Sequence, residues 1–217
     1  MTGVQTCALP IYHILLAYCY KAIDLFEGII QLQQHELMED AQILIRVLFE
    51  TNLNVGYLIK LASKDIDNAA HIAMTSMMIM KGKDALQQKT DDPEFYKIVE
   101  MLQATYSETE LQNIKKHGFT GCHIHQRAKN DNKEEWYNIM FKNFSRNVHA
   151  LDFQEYFVKL GLRNDDEPYE EKYIPRNQVA LQHAHTCFFQ IIMFCNLTFG
   201  LGIEKELKEI QNKFNHC

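Results

Sequence analysis

The stretch that decides the fold is AQILIRVLFETNLNVGYLIKL, residues 41–61. Its apolar side chains return at the spacing of one helical face, as at Ile43, Val47, Tyr57 and Leu61. It lacks the two-residue alternation that is typical of a half-buried strand. The stretch therefore predicts a long amphipathic helix.

The same period continues on both sides of this stretch. Upstream it runs from Ile14 to Ile29. Downstream it follows Asp65, which predicts an N-terminal cap for a third helix that ends near Gly82. The sequence DDP at 91–93 predicts a further helix start, because proline is tolerated in the first turn of a helix.

Two segments interrupt the helical period. Residues 118–132, where a polar KNDNK run begins, and residues 161–176 predict connecting loops, and helical spacing resumes between them at Trp136. The charged stretch IEKELKEIQNKF, residues 203–214, predicts a C-terminal helix on the outside of the fold or against a partner subunit. Together these patterns predict an all-α fold, an antiparallel bundle of six to eight helices.

The first eleven residues, MTGVQTCALPI, resemble an in-frame translation of a sequencing-library adapter. We therefore expect residues 1–11 to be an artefact, and residues 12–217 to form a single helical domain that is truncated at its N-terminus. A chain joined to adapter sequence is typical of a metagenomic fragment, and we expect a prokaryotic source.

Composition limits the function classes. The chain carries 28 acidic residues against 22 Lys and Arg, a formal net charge of −6, so it lacks the broad cationic field of non-specific nucleic-acid binding. Five of the six cysteines lie outside residues 1–11, and neither their odd number nor their scattered spacing indicates a disulfide framework. This cysteine pattern predicts reduced thiols and a cytoplasmic location.

The segment TCFFQIIMFCNLTFGLGI, residues 186–203, is almost long and apolar enough to cross a membrane. Gln190 and Asn196 interrupt it, and a helix that is apolar nearly all round also suits the centre of a soluble bundle. We expect a core helix here and no membrane partner, with a membrane segment as the open alternative.

Two polar sets lie on otherwise apolar helices. Arg46 and Glu50 are four residues apart and share a helix face, and Ser145 and His149 do the same in NFSRNVHA, residues 143–150. If the two helices are neighbours, Glu50 could set the tautomer of His149, which could act as a general acid or base while Arg46 holds an anionic group. These four residues are the predicted site.

These two segments carry a resemblance to a known family. AQILIRVLFE at 41–50 resembles the Arg-apolar-apolar-Phe-Glu segment, and NFSRNVHA at 143–150 the Ser-x-x-Val-His segment, of the bacterial and archaeal domain of unknown function numbered 5677. The resemblance covers roughly residues 20–200, and it departs from the family pattern at Phe141, where a tyrosine is expected. It implies a helical domain with no established activity.

A different pair suggests an alternative site. Arg176 and His183 form an Arg-x6-His spacing just after Pro175, at a predicted helix start. This spacing is similar to the Arg-x4–6-His signature of the helical ribonuclease-toxin superfamily called higher eukaryote and prokaryote nucleotide-binding domains. The resemblance implies that arginine stabilises phosphate charge while histidine moves a proton at the ribose oxygens.

A metal site and a cofactor site are not predicted. His117, Cys122, His123 and His125 are competent zinc donors, but they lack the paired Cys-x2-Cys or helical His-x3-His spacing of a zinc site. A polar connecting loop explains this cluster.

The sequence leaves two classes of function open. The first is an interaction or ligand-binding module with a buried Arg/Glu/His network, which binds a protein partner or a second copy of itself. The second is a metal-independent, ribonuclease-like hydrolase with an Arg/His pair, the only case in which nucleic acid would be a partner. The sequence does not decide whether the protein is an enzyme.

Overall fold

A computed structural model describes residues 5–87, 96–97, 100, 103–120, 122–144 and 169–215. In these ranges the chain is helical and contains no strand. The predicted all-α class is thereby confirmed. The helix start predicted at residues 91–93 lies outside the described residues.

Three long helices come first: α1 Gln5–Gln34, α2 Met38–Ala62 and α3 Ile66–Gln87. Asp65 caps α3 as predicted, because its Oδ1 accepts the backbone N–H groups of Asp67 at 3.1 Å and Asn68 at 3.0 Å. The helix runs on past Gly82, where the sequence predicted its end.

The middle of the chain holds shorter elements. They are α4 Glu108–His117, a 3-10 turn Gly118–Thr120, α5 Ile124–Asn130, and α6 Glu134–Trp136, which continues as the π-helix Tyr137–Asn143. The predicted loop at 118–132 is therefore wrong for residues 124–130, which form α5.

Two helices complete the described chain: α7 Tyr169–Phe199 and α8 Glu204–Asn215. The loop predicted to extend to residue 176 is wrong from Tyr169 onward, because α7 already begins there. Gly200, with a φ of +62°, ends α7 in a backbone conformation that suits glycine. None of the described helices is long and apolar enough to cross a membrane, including the one that contains residues 186–199.

The chain divides into two compact units. The first unit comprises residues 1–15 and 54–130, and the second comprises residues 16–53 and 131–217. In the first unit the Thr75 hydroxyl and the Tyr106 hydroxyl are 2.8 Å apart, and the Tyr106 ring stacks on His71 with centroids 5.6 Å apart. These contacts join α3 to the residues just before α4.

Helices α1 and α7 pack antiparallel in the second unit. Phe26 of α1 stacks on Phe188 of α7 with ring centroids 4.3 Å apart, and Cys19 contacts Cys195. From the first contact to the second, the residue number falls from 26 to 19 on α1 but rises from 188 to 195 on α7. The two helices therefore run in opposite directions. The antiparallel arrangement predicted for the bundle holds for this pair.

A glycine lets α1 approach α2 closely. A Cβ atom at Gly28 would lie 2.9 Å from Cδ1 of Leu44, which is closer than ordinary van der Waals contact. Both helices bury an apolar row in the second unit, with Ala22 and Ile29 on α1 and Ile45 and Leu48 on α2 fully buried. The sequence predicted the face of α1, but the row it predicted on α2, with Ile43 and Val47, is only half-buried and lies beside the fully buried one.

Candidate functional site

Arg46 lies on α2, in the part of the helix that belongs to the second unit. Its guanidinium carbon is 4.2 Å from the centroid of the Phe141 ring, a cation–π contact. The Nε atom of Arg46 is buried and has no hydrogen-bond partner among the described residues. A buried donor without an acceptor costs about 1–3 kcal/mol, so this atom is an unusual feature of the unit.

Glu50 follows Arg46 by one turn of α2, so the two residues share a helix face, as the sequence predicted. Glu50 is half-buried. Ser145 and His149 lie outside the described residues. Their meeting with Arg46 and Glu50 therefore stays a prediction from the sequence.

A second polar group in the same unit surrounds Lys133, whose side chain is 14% exposed. Its Nζ donates to Oδ1 of Asn52 at 2.5 Å and to Oε1 of Gln190 at 3.0 Å, and it lies 3.8 Å from Oδ2 of Asp131. Two of these partners come from α2 and α7, so one ammonium group connects three parts of the unit. Amide oxygens and a carboxylate together offset much of the cost of burying the cation.

The amide of Asn52 completes this group. Its Nδ2 donates to the backbone carbonyl of Cys187 and to Oε1 of Gln190, both at 3.1 Å. Asn52 is fully buried, and these bonds satisfy its donors. Burial raises the pKa of the Cys187 thiol to about 12, against a smaller opposite effect of Lys133. Cys187 is therefore a neutral thiol under all physiological conditions.

Trp136 connects the Lys133 group to His183. Its ring centroid is 5.7 Å from Lys133 Nζ and 4.9 Å from the centroid of the His183 imidazole. Burial lowers the pKa of His183 from its ordinary value of 6.5, and the carboxylate of Glu135 opposes this shift. The imidazole is therefore mostly neutral at neutral pH and can accept a proton.

Arg176 and His183 both lie on α7, seven residues apart. Seven residues are almost two full turns, so the two positions share a face about 10 Å apart along the axis. The predicted helix start after Pro175 is wrong, since α7 begins six residues earlier, at Tyr169. The side chain of Arg176 lies outside the described residues.

The histidine and cysteine cluster of residues 117–125 belongs to the first unit. The His117 and His123 rings meet at 68° with centroids 4.1 Å apart. Partial desolvation and then the charge of His123 lower the pKa of His117. In the described part of the chain, no three His, Cys, Asp or Glu side chains are placed to hold a metal ion.

Cys19 and Cys195 form a pair of hydrogen-bonded thiols between α1 and α7. The bond from Cys195 lowers the pKa of Cys19 to about 7, against a smaller effect of burial, while the same bond and burial raise the pKa of Cys195. None of the four cysteines whose side chains are described forms a disulfide.

The Lys133 group was not predicted from the sequence. Lys133 is the last residue of the KNDNK run, which predicted a solvated loop. Gln190 was interpreted only as a polar residue that interrupts the apolar segment 186–203. One signal was present: two isolated amides, Asn52 and Gln190, occur within long apolar stretches. Buried amides need partners, and a lysine in a nearby segment can supply them.

A family model, the family of unknown function DUF5677, matches residues 12–167. The chain belongs to this family. The resemblance predicted from residues 41–50 and 143–150 is confirmed, although the match to the DUF5677 model begins and ends earlier than the range 20–200 predicted from the sequence. The matched range, residues 12–167, includes Arg46 and Lys133 and ends before His183.

DUF5677 membership places the chain in a family but assigns no chemistry. A search of curated proteins found no match, and a search of solved structures found none either. Any function of this DUF5677 chain must therefore be argued from its own residues.

Proposed function

We propose that this DUF5677 chain is a ligand-binding module in which Arg46 receives the anionic group of a small molecule. The observation that carries the proposal is the buried Nε of Arg46, which has no hydrogen-bond partner among the described residues. An anionic oxygen at this position would supply the missing acceptor and offset a cost of about 1–3 kcal/mol.

The contact with Phe141 supports this role. An aromatic ring that lies against the guanidinium group fixes the orientation of that group. The edge of the guanidinium keeps its forked N–H groups, whose geometry matches a carboxylate or a phosphate. Glu50, one turn further along α2, would then set the tautomer of His149, the general acid or base predicted from the sequence, with Ser145 as the fourth residue of the predicted site.

Calorimetric titration tests the proposal with inorganic phosphate, adenosine monophosphate and succinate as separate probes. We expect at least one probe to bind and Arg46→Met to weaken that binding at least about tenfold, as loss of a charge-assisted bond requires. Arg46→Lys keeps the positive charge but loses the forked N–H geometry of the guanidinium. Lys64→Met is the matched control, because it removes a cation from an exposed position. Equal affinities of Arg46→Met and the wild type would contradict the proposal.

A ribonuclease-like hydrolase is the second candidate, favoured by the half-buried, largely neutral imidazole of His183 against Trp136. A neutral imidazole can take the proton from a ribose 2′-hydroxyl, whose oxygen then attacks the adjacent phosphorus. The bond between phosphorus and the 5′-oxygen breaks, the His183 imidazolium returns its proton to that oxygen, a 2′,3′-cyclic phosphate forms, and Arg176 stabilises the phosphate charge.

An RNA cleavage assay separates the two candidates. For the hydrolase, we expect wild-type cleavage that His183→Ala and Arg176→Ala remove, while His149→Ala tests the general acid–base role at the first site. Cleavage that survives His183→Ala excludes the hydrolase with this pair. If His149→Ala lowers the melting temperature and keeps the wild-type activity, His149 has a structural role.

A further inference from the structure

Cys19 of α1 and Cys195 of α7 both belong to the second unit, and a hydrogen bond joins their thiols. The stacked rings of Phe26 and Phe188 indicate the same register, because Phe26 follows Cys19 by seven residues and Phe188 precedes Cys195 by seven. Seven residues are almost two turns, so on each helix the cysteine and the phenylalanine share a face. The ring contact and the thiol contact are therefore two layers of one antiparallel helix pair.

Fully buried residues lie between these two layers. Ala22 comes three residues after Cys19, Ile191 comes four residues before Cys195, and both are buried. The small alanine side chain permits a close approach of two packed helices. A disulfide needs Cα atoms about 4.4–6.8 Å apart and sulfur atoms about 2.05 Å apart. Because the two thiols are already in hydrogen-bond contact across packed helices, a small rotation of the side chains can bring the sulfur atoms to bonding distance.

The two thiols differ in their access to solvent. Cys19 is half-buried, whereas Cys195 is 2% exposed. The hydrogen bond from Cys195 stabilises a negative charge on Cys19 Sγ and lowers the pKa of Cys19 to about 7. The thiolate is the nucleophile in thiol–disulfide exchange, so Cys19 can attack a reagent that arrives from solvent. Cys195 is placed to attack Cys19 afterwards, which is the role of a resolving cysteine.

We propose that Cys19 and Cys195 form a reversible disulfide by exchange with a low-molecular-weight disulfide. The Cys19 thiolate attacks one sulfur of the reagent, the S–S bond of the reagent breaks, and a first thiolate leaves. This thiolate takes the proton of Cys195, which no longer donates to a charged sulfur. The Cys195 thiolate then attacks Cys19 Sγ, and a second thiolate leaves and takes a proton from solvent. The two cysteines lose two electrons, and the reagent is reduced to two thiols.

The other two described cysteines have different surroundings. Cys187 is fully buried, and burial raises its pKa to about 12, so it supplies no thiolate for exchange. Cys122 belongs to the first unit and is half-buried, as Cys19 is. Cys122 therefore provides a matched thiol of similar exposure that lies outside the α1–α7 contact.

Glutathione disulfide, mixed with reduced glutathione in varied ratios, tests the proposal on the folded full chain. After an acid quench and alkylation of the remaining thiols, mass spectrometry of peptides prepared without reductant identifies each linked pair. We expect a Cys19–Cys195 link in most wild-type molecules when glutathione disulfide is in excess, and its loss when reduced glutathione is in excess. Cys122→Ser is the matched control and should keep the link.

Two further variants separate the steps. Cys195→Ala removes the second attack, so glutathione should remain on Cys19 as a mixed disulfide, whereas Cys19→Ala should leave the buried Cys195 unmodified. Circular dichroism checks that the helices remain in each variant, and the wild-type peptide map decides the matter even if a variant unfolds. A wild type that forms no link, that only accumulates glutathione on Cys19, or that links Cys195 to a different cysteine overturns the proposal.

Discussion

The ring of Trp136 packs against the imidazole of His183 with centroids 4.9 Å apart, at an angle of 49°. This contact removes water from one side of the imidazole, and the pKa of His183 falls because the charged form loses solvation. Glu135 acts in the opposite direction. The two neighbours therefore give variants with opposite expected effects.

We expect Trp136→Ala to raise the pKa of His183 toward 6.5, because water regains access to the ring, and Glu135→Gln to lower it further, because the attraction is lost. NMR titration of the His183 ring protons measures both changes. A shift in the same direction in both variants would contradict this explanation.

The direction of this pKa sets the pH dependence of stability. A histidine whose pKa is lower in the folded state binds its proton more tightly when unfolded, so it favours folding above pH 6.5 and this contribution is lost as pH falls. His117 and His185 are shifted in the same direction. Urea unfolding at pH 7.5 and pH 5.5 should show lower stability at the acid pH, with a smaller difference in His183→Gln.

Removal of the Lys133 ammonium should destabilise the second unit. Lys133→Met keeps most of the aliphatic stem but leaves the side-chain oxygens of Asn52 and Gln190 without this donor, at an expected cost of about 1–3 kcal/mol. Chemical denaturation measures the loss. The exposed Lys129→Met is the matched control, and an equal midpoint for the two variants would show that the network contributes nothing.

Cys19 should react with alkylating reagents faster than an ordinary thiol at neutral pH. Its pKa of about 7 places its half-maximal thiolate fraction near pH 7, whereas a free cysteine reaches it near pH 8.5. Cys195→Ala removes the hydrogen bond that causes the shift and should move the pH profile of Cys19 upward. Mass spectrometry after brief treatment with iodoacetamide identifies the modified residue at each pH, and an unchanged profile would refute the cause.

The capping box at the start of α4 offers a local test of helix stability. The Ser107 hydroxyl accepts the N–H of Glu110 at 3.4 Å, and the Glu110 carboxylate accepts the N–H of Ser107 at 2.9 Å. Ser107→Ala should lower the free energy of unfolding by about 1 kcal/mol. The exposed Thr109→Ala is the control, and thermal unfolding should separate the two variants.

Helix positions could be predicted where burial alone determines them. The period that ends at Ile29 follows from one buried face on α1, and the Asp65 cap follows from the local chemistry of a carboxylate beside free N–H groups. Both signals lie within a few neighbouring residues, so the sequence was sufficient to predict them.

The environment of Lys133 could not be read in this way. Its partners Asn52 and Gln190 are 81 and 57 residues away in the chain, and a lysine in a polar run is solvated unless distant amides approach it. Contacts between distant segments therefore determine the environment of Lys133. The start of α7 was also predicted wrongly. Proline usually lies in the first turn of a helix, so Pro175 predicted a start there, whereas α7 begins at Tyr169.

The π-helix Tyr137–Asn143 affects how this segment should be aligned with related proteins. A turn of this type spans one residue more than an α-turn. A relative without the extra residue would keep Lys133 and Trp136 in phase, while the position of Phe144 would rotate by about 100° about the helix axis. Gaps in alignments therefore belong within 137–143, where a single residue can enter or leave without displacing the preceding lysine.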